Sequence, residues 1–238
     1  MKVDVIISAD DIKEEKIKDK NVVVIDVLRA TSVMVTALKN GCNEVIPVKE
    51  IEEALEIVNN NKDAYVLGGE RQGIKIKDFN LSNSPLEYTE AEVKGKTVVM
   101  TTTNGTKAIK NSEAAGRIFI AALINGEAVA KKLLALGEDV VFVNAGTNGQ
   151  FSMDDYITSG YIISLMKAFS EEEIVLTDVA ETSLYISEMN PSVDGFLKKA
   201  THYRRMEDLG YFEDLRYCLT KDIIDIVPEY KNGRIMVN

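Results

Sequence analysis

The sequence has 238 residues, two cysteines, one histidine and a formal net charge of −10 at neutral pH. That length suits one large α/β domain or two intimate halves, and 45% hydrophobic residues are enough for a substantial core. The charge sets the chain against nucleic acid and anionic membranes; no apolar run is long enough to span a bilayer; no secretory signal stands at the N-terminus; and the distant Cys42 and Cys218 fit a reducing cytoplasm, with a single disulfide as the alternative.

In chain order, short β-branched runs alternate with amphipathic stretches. Val3–Ile7 reads as a strand, and Val22–Ile25 as a buried parallel strand ending at Asp26. Thr31–Lys39 is predicted helical, stopping at Asn40-Gly41. Glu44–Val48 is a strand and Ile51–Val58 a helix with Ile51, Ala54, Leu55 and Val58 on one face. Ala64–Leu67 is a strand running into Gly68-Gly69, and Gly68–Gly95 has the composition of a long loop. Thr97–Met100 is a strand, followed by a helix reaching Lys110. Ile118–Ala121, Val129–Leu136 and Val140–Asn144 continue the alternation, and Met153–Phe169 is a long helix. Ile174–Leu176 is a final strand of that series. Asp178–Leu219 reads as several short helices, and Ile223–Val227 with Arg234–Val237 as strand, turn and strand. The sum is a three-layer α/β/α fold around a mostly parallel sheet, with a helical C-terminal region. A single compact α/β domain over residues 1–238 is expected. Val22–Val58 and Thr97–Leu136 repeat one order of elements, so sub-halves 1–95 and 96–238 are an alternative division.

Chemistry gathers at three strand ends, where ligands of parallel α/β sheets bind. Asp26-Val27-Leu28-Arg29-Ala30-Thr31-Ser32 places a carboxylate, an arginine and two hydroxyls at a helix start. Asp26 can hold a divalent cation, and Thr31 and Ser32 can cradle phosphate. The plainer reading is a helix cap and an Asp26–Arg29 pair. Thr101–Thr106 contributes Thr102, Thr103, Asn104, Gly105 and Thr106 as a second anion cradle, a helix cap being its plainer reading. The third end runs from Asn144 through Gly146 and Ser152 to Asp154 and Asp155. Ser152 and Asp155 approximate a capping box, which leaves Asp154 to favour the helix dipole or to reach a metal. The loop adds Glu70 and Arg71 after a double glycine, and Asn83 and Ser84 further on; the plainer reading of Glu70 and Arg71 is a solvated surface pair. No P-loop, GxSxG elbow or thiol-phosphatase loop is present. The single histidine, His202, reads as a surface or satisfied residue in preference to an acid for a leaving group.

The blocks IDVLRATS, GGERQGIKIKDFNLSNSP, MTTTNGT, NAGTNGQFSMDD and GYFEDLRYCLTKDIIDIVP, in this order along nearly the whole chain, resemble the 2-phosphosulfolactate phosphatase family. One departure is Ile157-Thr158-Ser159-Gly160, where the family pattern has something like Leu-Cys-Ala-Gly; it falls inside a helix. The resemblance implies an α/β fold, a Mg²⁺ requirement, and hydrolysis of 2-phospho-3-sulfolactate to sulfolactate and phosphate in a route to coenzyme M. Joined to the residue reading, it gives Asp26, Arg29, Glu70, Arg71 and Asp154 as catalytic, with Asp26, Glu70 and Asp154 as Mg²⁺ ligands. Thr31, Ser32, Asn83, Ser84, Thr102, Thr103, Asn104, Gly105, Thr106, Gly146 and Ser152 are the expected substrate-binding set. Two routes stay open, attack by water or by Asp26 itself. A non-catalytic sensor of phosphorylated or sulfonated metabolites is the alternative function, and a nucleotide-dependent transferase would need a glycine-rich fingerprint that is missing. Exposed apolar positions after Asp178 suit a homodimer.

Overall fold

The structure, a computed structural model, describes residues 1–59 and 64–237. Lys2–Ile6 (β1) opens the chain, and a short turn of helix, Glu14–Ile17 (α1), leads to Asn21–Ile25 (β2). Every residue of β2 is buried, as a strand covered on both faces requires. Burying each of its valines is worth on the order of 1.5–3 kcal/mol. Ala30–Lys39 (α2), Glu44–Pro47 (β3) and Ile51–Val58 (α3) follow.

Tyr65–Arg71 (β4) is longer than the sequence pattern implies, because the strand continues through both glycines to Arg71. It turns back at Gln72-Gly73 into Ile74–Lys75 (β5). Both turn residues have positive φ, 56° and 80°, the conformation that a two-residue hairpin demands and that glycine supplies at Gly73. The segment expected as one long loop thus holds a hairpin and Glu90–Val93 (α4). Thr97–Thr101 (β6), Gly105–Asn111 (α5), Arg117–Ala121 (β7), Gly126–Leu136 (α6), Val140–Asn144 (β8) and Met153–Phe169 (α7) complete the regular alternation. Val175–Leu176 (β9), Asp178–Met189 (α8), Val193–Leu197 (α9), Thr201–Asp208 (α10), Phe212–Cys218 (α11), Glu229–Lys231 (β10) and Arg234–Met236 (β11) end the described chain.

The strand expected at Ile223–Val227 does not form. Ile224 N–H donates to Ile124 O at 2.9 Å, Ile226 O accepts from Asn125 Nδ2 at 3.1 Å, and Pro228 O accepts from Ile120 N–H at 2.9 Å. The segment is therefore tied to the β7–α6 junction, and pairing begins only after Pro228, which has no N–H to give a ladder.

All eleven strands among the described residues join one mixed, mostly parallel sheet, in the order β5-β4-β6-β3-β11-β10-β7-β2-β8-β1-β9, with helices on both faces in three α/β/α layers. It contains strands from both sides of residue 95. Two parallel blocks, β4-β6-β3 and β7-β2-β8-β1-β9, are bridged by the antiparallel C-terminal hairpin β10–β11. Three antiparallel steps separate β7 from β3, so the blocks run in opposite senses.

The sheet curls strongly. A Cβ on Gly105, just past β6, would lie 2.8 Å from Asp26 Oδ2 and 2.6 Å from Ala30 Cβ, just past β2, although four strands stand between β6 and β2 in the sheet order. Only glycine permits that approach. The curl brings strand ends from both blocks to one place.

Candidate active site

Asp26 follows β2 in a turn that its neighbours lock. Asp26 N–H donates to Thr31 Oγ1 at 3.1 Å, and Thr31 N–H donates to Asp26 O at 3.0 Å. Ser32 Oγ donates to Val27 O at 2.8 Å. Both hydroxyl residues are fully buried and build the turn; neither lines the neighbouring cavity, so the expected phosphate cradle at the start of α2 is not made by these side chains. The helix-cap reading is incomplete as well, since their partners are the turn's own backbone.

A cavity of about 450 Å³ opens beside Asp26. Asp26, Glu70, Thr103 and Asn104 reach it from the strand ends, and His202 and Arg205 from α10. Glu70 is buried and anchored on both oxygens, with Oε1 accepting from Thr103 N–H at 2.7 Å and Oε2 from Gly73 N–H at 2.6 Å. Burial pushes the Asp26 carboxyl up to about 7; His202 opposes the rise, and Asp154 and Glu70 add to it.

Asp154, in the first turn of α7, accepts from Ser152 Oγ and lies 3.1 Å from His202 Nδ1. Burial works to push its carboxyl up, but His202 and Ser152 outweigh that and hold Asp154 below the usual carboxylate range. The same contact lifts His202 above the ordinary histidine value against the effect of burial. His202 is thus neither a surface residue nor a satisfied core residue, as the sequence reading preferred, but the cavity-lining end of a hydrogen-bonded chain from Ser152 through Asp154. The expected Ser152–Asp155 capping box is absent. Asp155 instead accepts from Val27 N–H at 2.9 Å and Gly146 N–H at 3.0 Å, stitching the β2 and β8 ends together, and burial holds it well above the usual carboxylate value.

Arg29 is 2% exposed and pairs with Asp214 of α11, not with Asp26. Its guanidinium stacks 3.9 Å over the Tyr211 ring and donates to Gly73 O at 3.3 Å. Ser84 Oγ donates to the other Asp214 oxygen at 2.7 Å, so Ser84 serves this ion pair and does not line the cavity. Arg71 departs furthest from expectation. Consecutive strand residues point to opposite faces, so Glu70 faces the cavity and Arg71 turns away. It donates to Glu70 O, Lys49 O and Thr101 Oγ1, each at 2.9 Å, in a separate surface cleft.

The threonine turn also divides. Thr106 Oγ1 donates to Thr102 O at 3.0 Å, and Thr102 Oγ1 accepts from Thr106 N–H at 3.2 Å, so these two side chains close their own turn as the plainer reading holds. Thr103 and Asn104 line the cavity, and Thr103 Oγ1 is buried without a partner. Asn104 Oδ1 accepts from Asn148 N–H at 3.1 Å. Gly105 allows the close approach described above, and Gly146 contributes its N–H to Asp155.

Among the described residues, no three or more His, Cys, Asp or Glu side chains form a metal-type cluster, so the expected Asp26–Glu70–Asp154 ligand trio is not assembled. Asp154 is engaged by Ser152 and His202. Asp26 and Glu70 do share the cavity with Asn83, whose buried Oδ1 has no hydrogen-bond partner. Hard oxygens of this kind fit Mg²⁺, which takes one or two carboxylates and fills its shell with water and substrate phosphate. Each Glu70 oxygen keeps a further lone pair for such a role.

A family model described as 2-phosphosulpholactate phosphatase matches residues 6–233. The chain belongs to this family. It is 59% identical to a Clostridium tetani protein over 99% of this chain and 100% of that one. It is 57% identical to a Clostridium kluyveri protein (100% and 98% covered) and 57% identical to one from Clostridium acetobutylicum (99% and 100% covered). All three carry the name "Probable 2-phosphosulfolactate phosphatase".

Within this 2-phosphosulpholactate phosphatase chain, sequence reasoning missed Asp214 and Tyr211, which hold Arg29, and Arg205, Thr147 and Asn148, which line the cavity. One signal was available for Arg205. His202, Arg205, Met206 and Leu209 follow i, i+3, i+4, i+7 spacing, one face of a helix, and that face lines the cavity.

Proposed function

We propose that this chain hydrolyses 2-phospho-3-sulfolactate to 3-sulfolactate and phosphate in a Mg²⁺-dependent reaction in the cytoplasm. The observation that carries the mechanism is the cavity lined by Asp26, Glu70 and His202, with Asp154 bonded to His202 from behind, which would join oxygens suited to a cation to a proton donor. Mg²⁺ would be held by Asp26 and Glu70 with Asn83 Oδ1, and when bound it neutralises charge on a phosphoryl oxygen. Thr103 Oγ1 and the Asn104 side chain supply hydrogen bonds to the phosphoryl group. Attack is assigned to water, because Asp26 is committed to the cation; an acyl phosphate trapped on Asp26 would replace that assignment.

As the new oxygen–phosphorus bond forms, the bond to the C2 oxygen breaks. His202, kept protonated by Asp154, gives its proton to the departing alkoxide, and the proton lost by water restores His202. Ser152 and Asp154 orient the imidazole. Two free, buried cysteines support the cytoplasmic location. No helix among the described residues is long and apolar enough to cross a membrane. The exposed Tyr185 and Met189 of α8 support a homodimer, which sedimentation tests.

The deciding experiment is phosphate release from 2-phospho-3-sulfolactate by purified protein. Turnover with Mg²⁺, abolished by EDTA and restored by Mg²⁺, is expected. Full turnover by protein stripped of divalent ions would end the cation assignment, and binding without any release would favour the sensor.

A further inference from the structure

The proposed substrate carries three anionic groups, yet most of the cationic side chains lining the cavity are already paired. Arg29 is neutralised by Asp214, and His202 by Asp154. A cation beside Asp26 and Glu70 accounts for the phosphoryl group. Arg205 stands apart. It is exposed on α10, lines the cavity, and among the described residues has no carboxylate within ion-pair distance. Among the described residues, its side chain's one hydrogen bond is a long 3.4 Å contact from Nη2 to Gln72 O, at the tip of the β4–β5 hairpin. The guanidinium therefore keeps nearly its full donor fork for a ligand.

Position completes the case. Arg205 lies three residues beyond His202 on the same helical face, about 4.5 Å further along the axis. His202 addresses the ester oxygen on C2, so Arg205 addresses what lies beyond C2. Of the two remaining anions, the carboxylate is attached to C2 itself, and the sulfonate sits one methylene further away. Met206 and Leu209, from the same face, give that end of the cavity an apolar wall. A guanidinium fork beside apolar surface suits a weakly hydrated, tetrahedral oxyanion.

We propose that Arg205 is the specificity-determining residue of this site, receiving the substrate's sulfonate; the inference rests on the phosphatase reading above. It does no chemistry on the phosphoryl group, so its removal must discriminate between substrates. The test compares wild type and Arg205→Gln on 2-phospho-3-sulfolactate and on 2-phospholactate, which lacks only the sulfonate. A charge-assisted contact of this kind predicts a fall of roughly 10- to 100-fold in kcat/KM for the sulfonated ester. The unsulfonated ester should change by less than about twofold, with Arg205→Lys intermediate on the sulfonated one. Equal losses on both esters, or no loss on the sulfonated ester, would overturn the proposal. Thermal melting shows whether the variant is folded, and an exposed side chain with one weak bond should leave the midpoint unchanged.

Direct binding of 3-sulfolactate by calorimetry separates this inference from the reading it rests on. If wild type hydrolyses neither ester, the phosphatase reading fails. Weaker binding of 3-sulfolactate by Arg205→Gln, by about tenfold or more, would still uphold the role of Arg205, and equal binding would end it.

Discussion

Asp26 is a carboxylate held where an ionised carboxylate is costly. It is 6% exposed, two other acids face it, and burial pushes it up to about 7. A carboxyl raised in the folded state stabilises the fold most when protonated. That contribution is complete below the ordinary value near 4 and is lost as pH rises through about 7. At pH 8 the cation-free protein must therefore bury a charge that Mg²⁺ would offset. Asp26→Asn removes the charge while keeping the shape. Cation-free D26N is expected to melt above cation-free wild type at pH 8, by roughly 2–4 °C for each kcal/mol relieved. The gap should close at pH 5, Mg²⁺ should stabilise only wild type, and D26N should be inactive; calorimetry across pH, with D26N melting lower at pH 8, would refute the assignment. His202 has the opposite polarity. Asp154 raises it, so the alkaline limb of kcat/KM is expected above the ordinary histidine range. Asp154→Asn should move that limb toward lower pH, and a pH–rate profile in which the limb stays put would show that Asp154 does not tune His202.

At the scale of elements, α11 acts on the site through Arg29 without touching the cavity with its own acid. Asp214 bonds Arg29 and Ser84, and Tyr211, just before α11, stacks on Arg29 and donates to Gly73 O at 3.0 Å. Together these fasten the C-terminal helices to the β2 turn and the β4–β5 hairpin. Breaking one side of a buried ion pair costs about 3–5 kcal/mol, because the partner charge is left unpaired. Asp214→Asn should therefore lower the melting midpoint by roughly 6–20 °C. Adding Arg29→Met should recover part of the loss, since no orphan charge remains; a double variant no more stable than the single would show that the pair matters for more than charge balance. The sequence made the elements around this latch legible and hid its partners. Met153–Phe169 and Ile51–Val58 match the expected helices end for end, because period and punctuation are local signals. Nothing local pairs Arg29 with an aspartate 185 positions away. The same limit misplaced Arg71. A strand expected to stop at Leu67 gives no alternation beyond it, so the opposite facing of Glu70 and Arg71 became visible only once β4 was seen to reach them.

Over the whole molecule, the parallel α/β character was legible from alternating elements, whereas the insertion of β10–β11 between two opposed parallel blocks was not. Strand order depends on long-range neighbour choice, and these two strands have only three residues each. That hairpin lets the sheet curl until Gly105 meets Asp26, so the site depends on the last elements of the chain as well as on its motifs. Charge is the other global property with a functional consequence. A chain of net charge −10 should repel an ester with three anionic groups at distance, while the proposed cation and Arg205 would attract it only locally. The Debye length is about 30 Å at 0.01 M salt and about 8 Å at 0.15 M. At low salt the approaching substrate feels the whole molecule, and at physiological salt mainly the mouth of the cavity. With free Mg²⁺ held fixed, kcat/KM for 2-phospho-3-sulfolactate should therefore rise with added monovalent salt over that range, by about two- to fivefold. Enzymes that steer their substrates electrostatically show the reverse. Initial-rate measurements across the series decide the matter: a fall with salt would mean that the local positive field governs encounter and that the acidic surface is turned away from the path of entry.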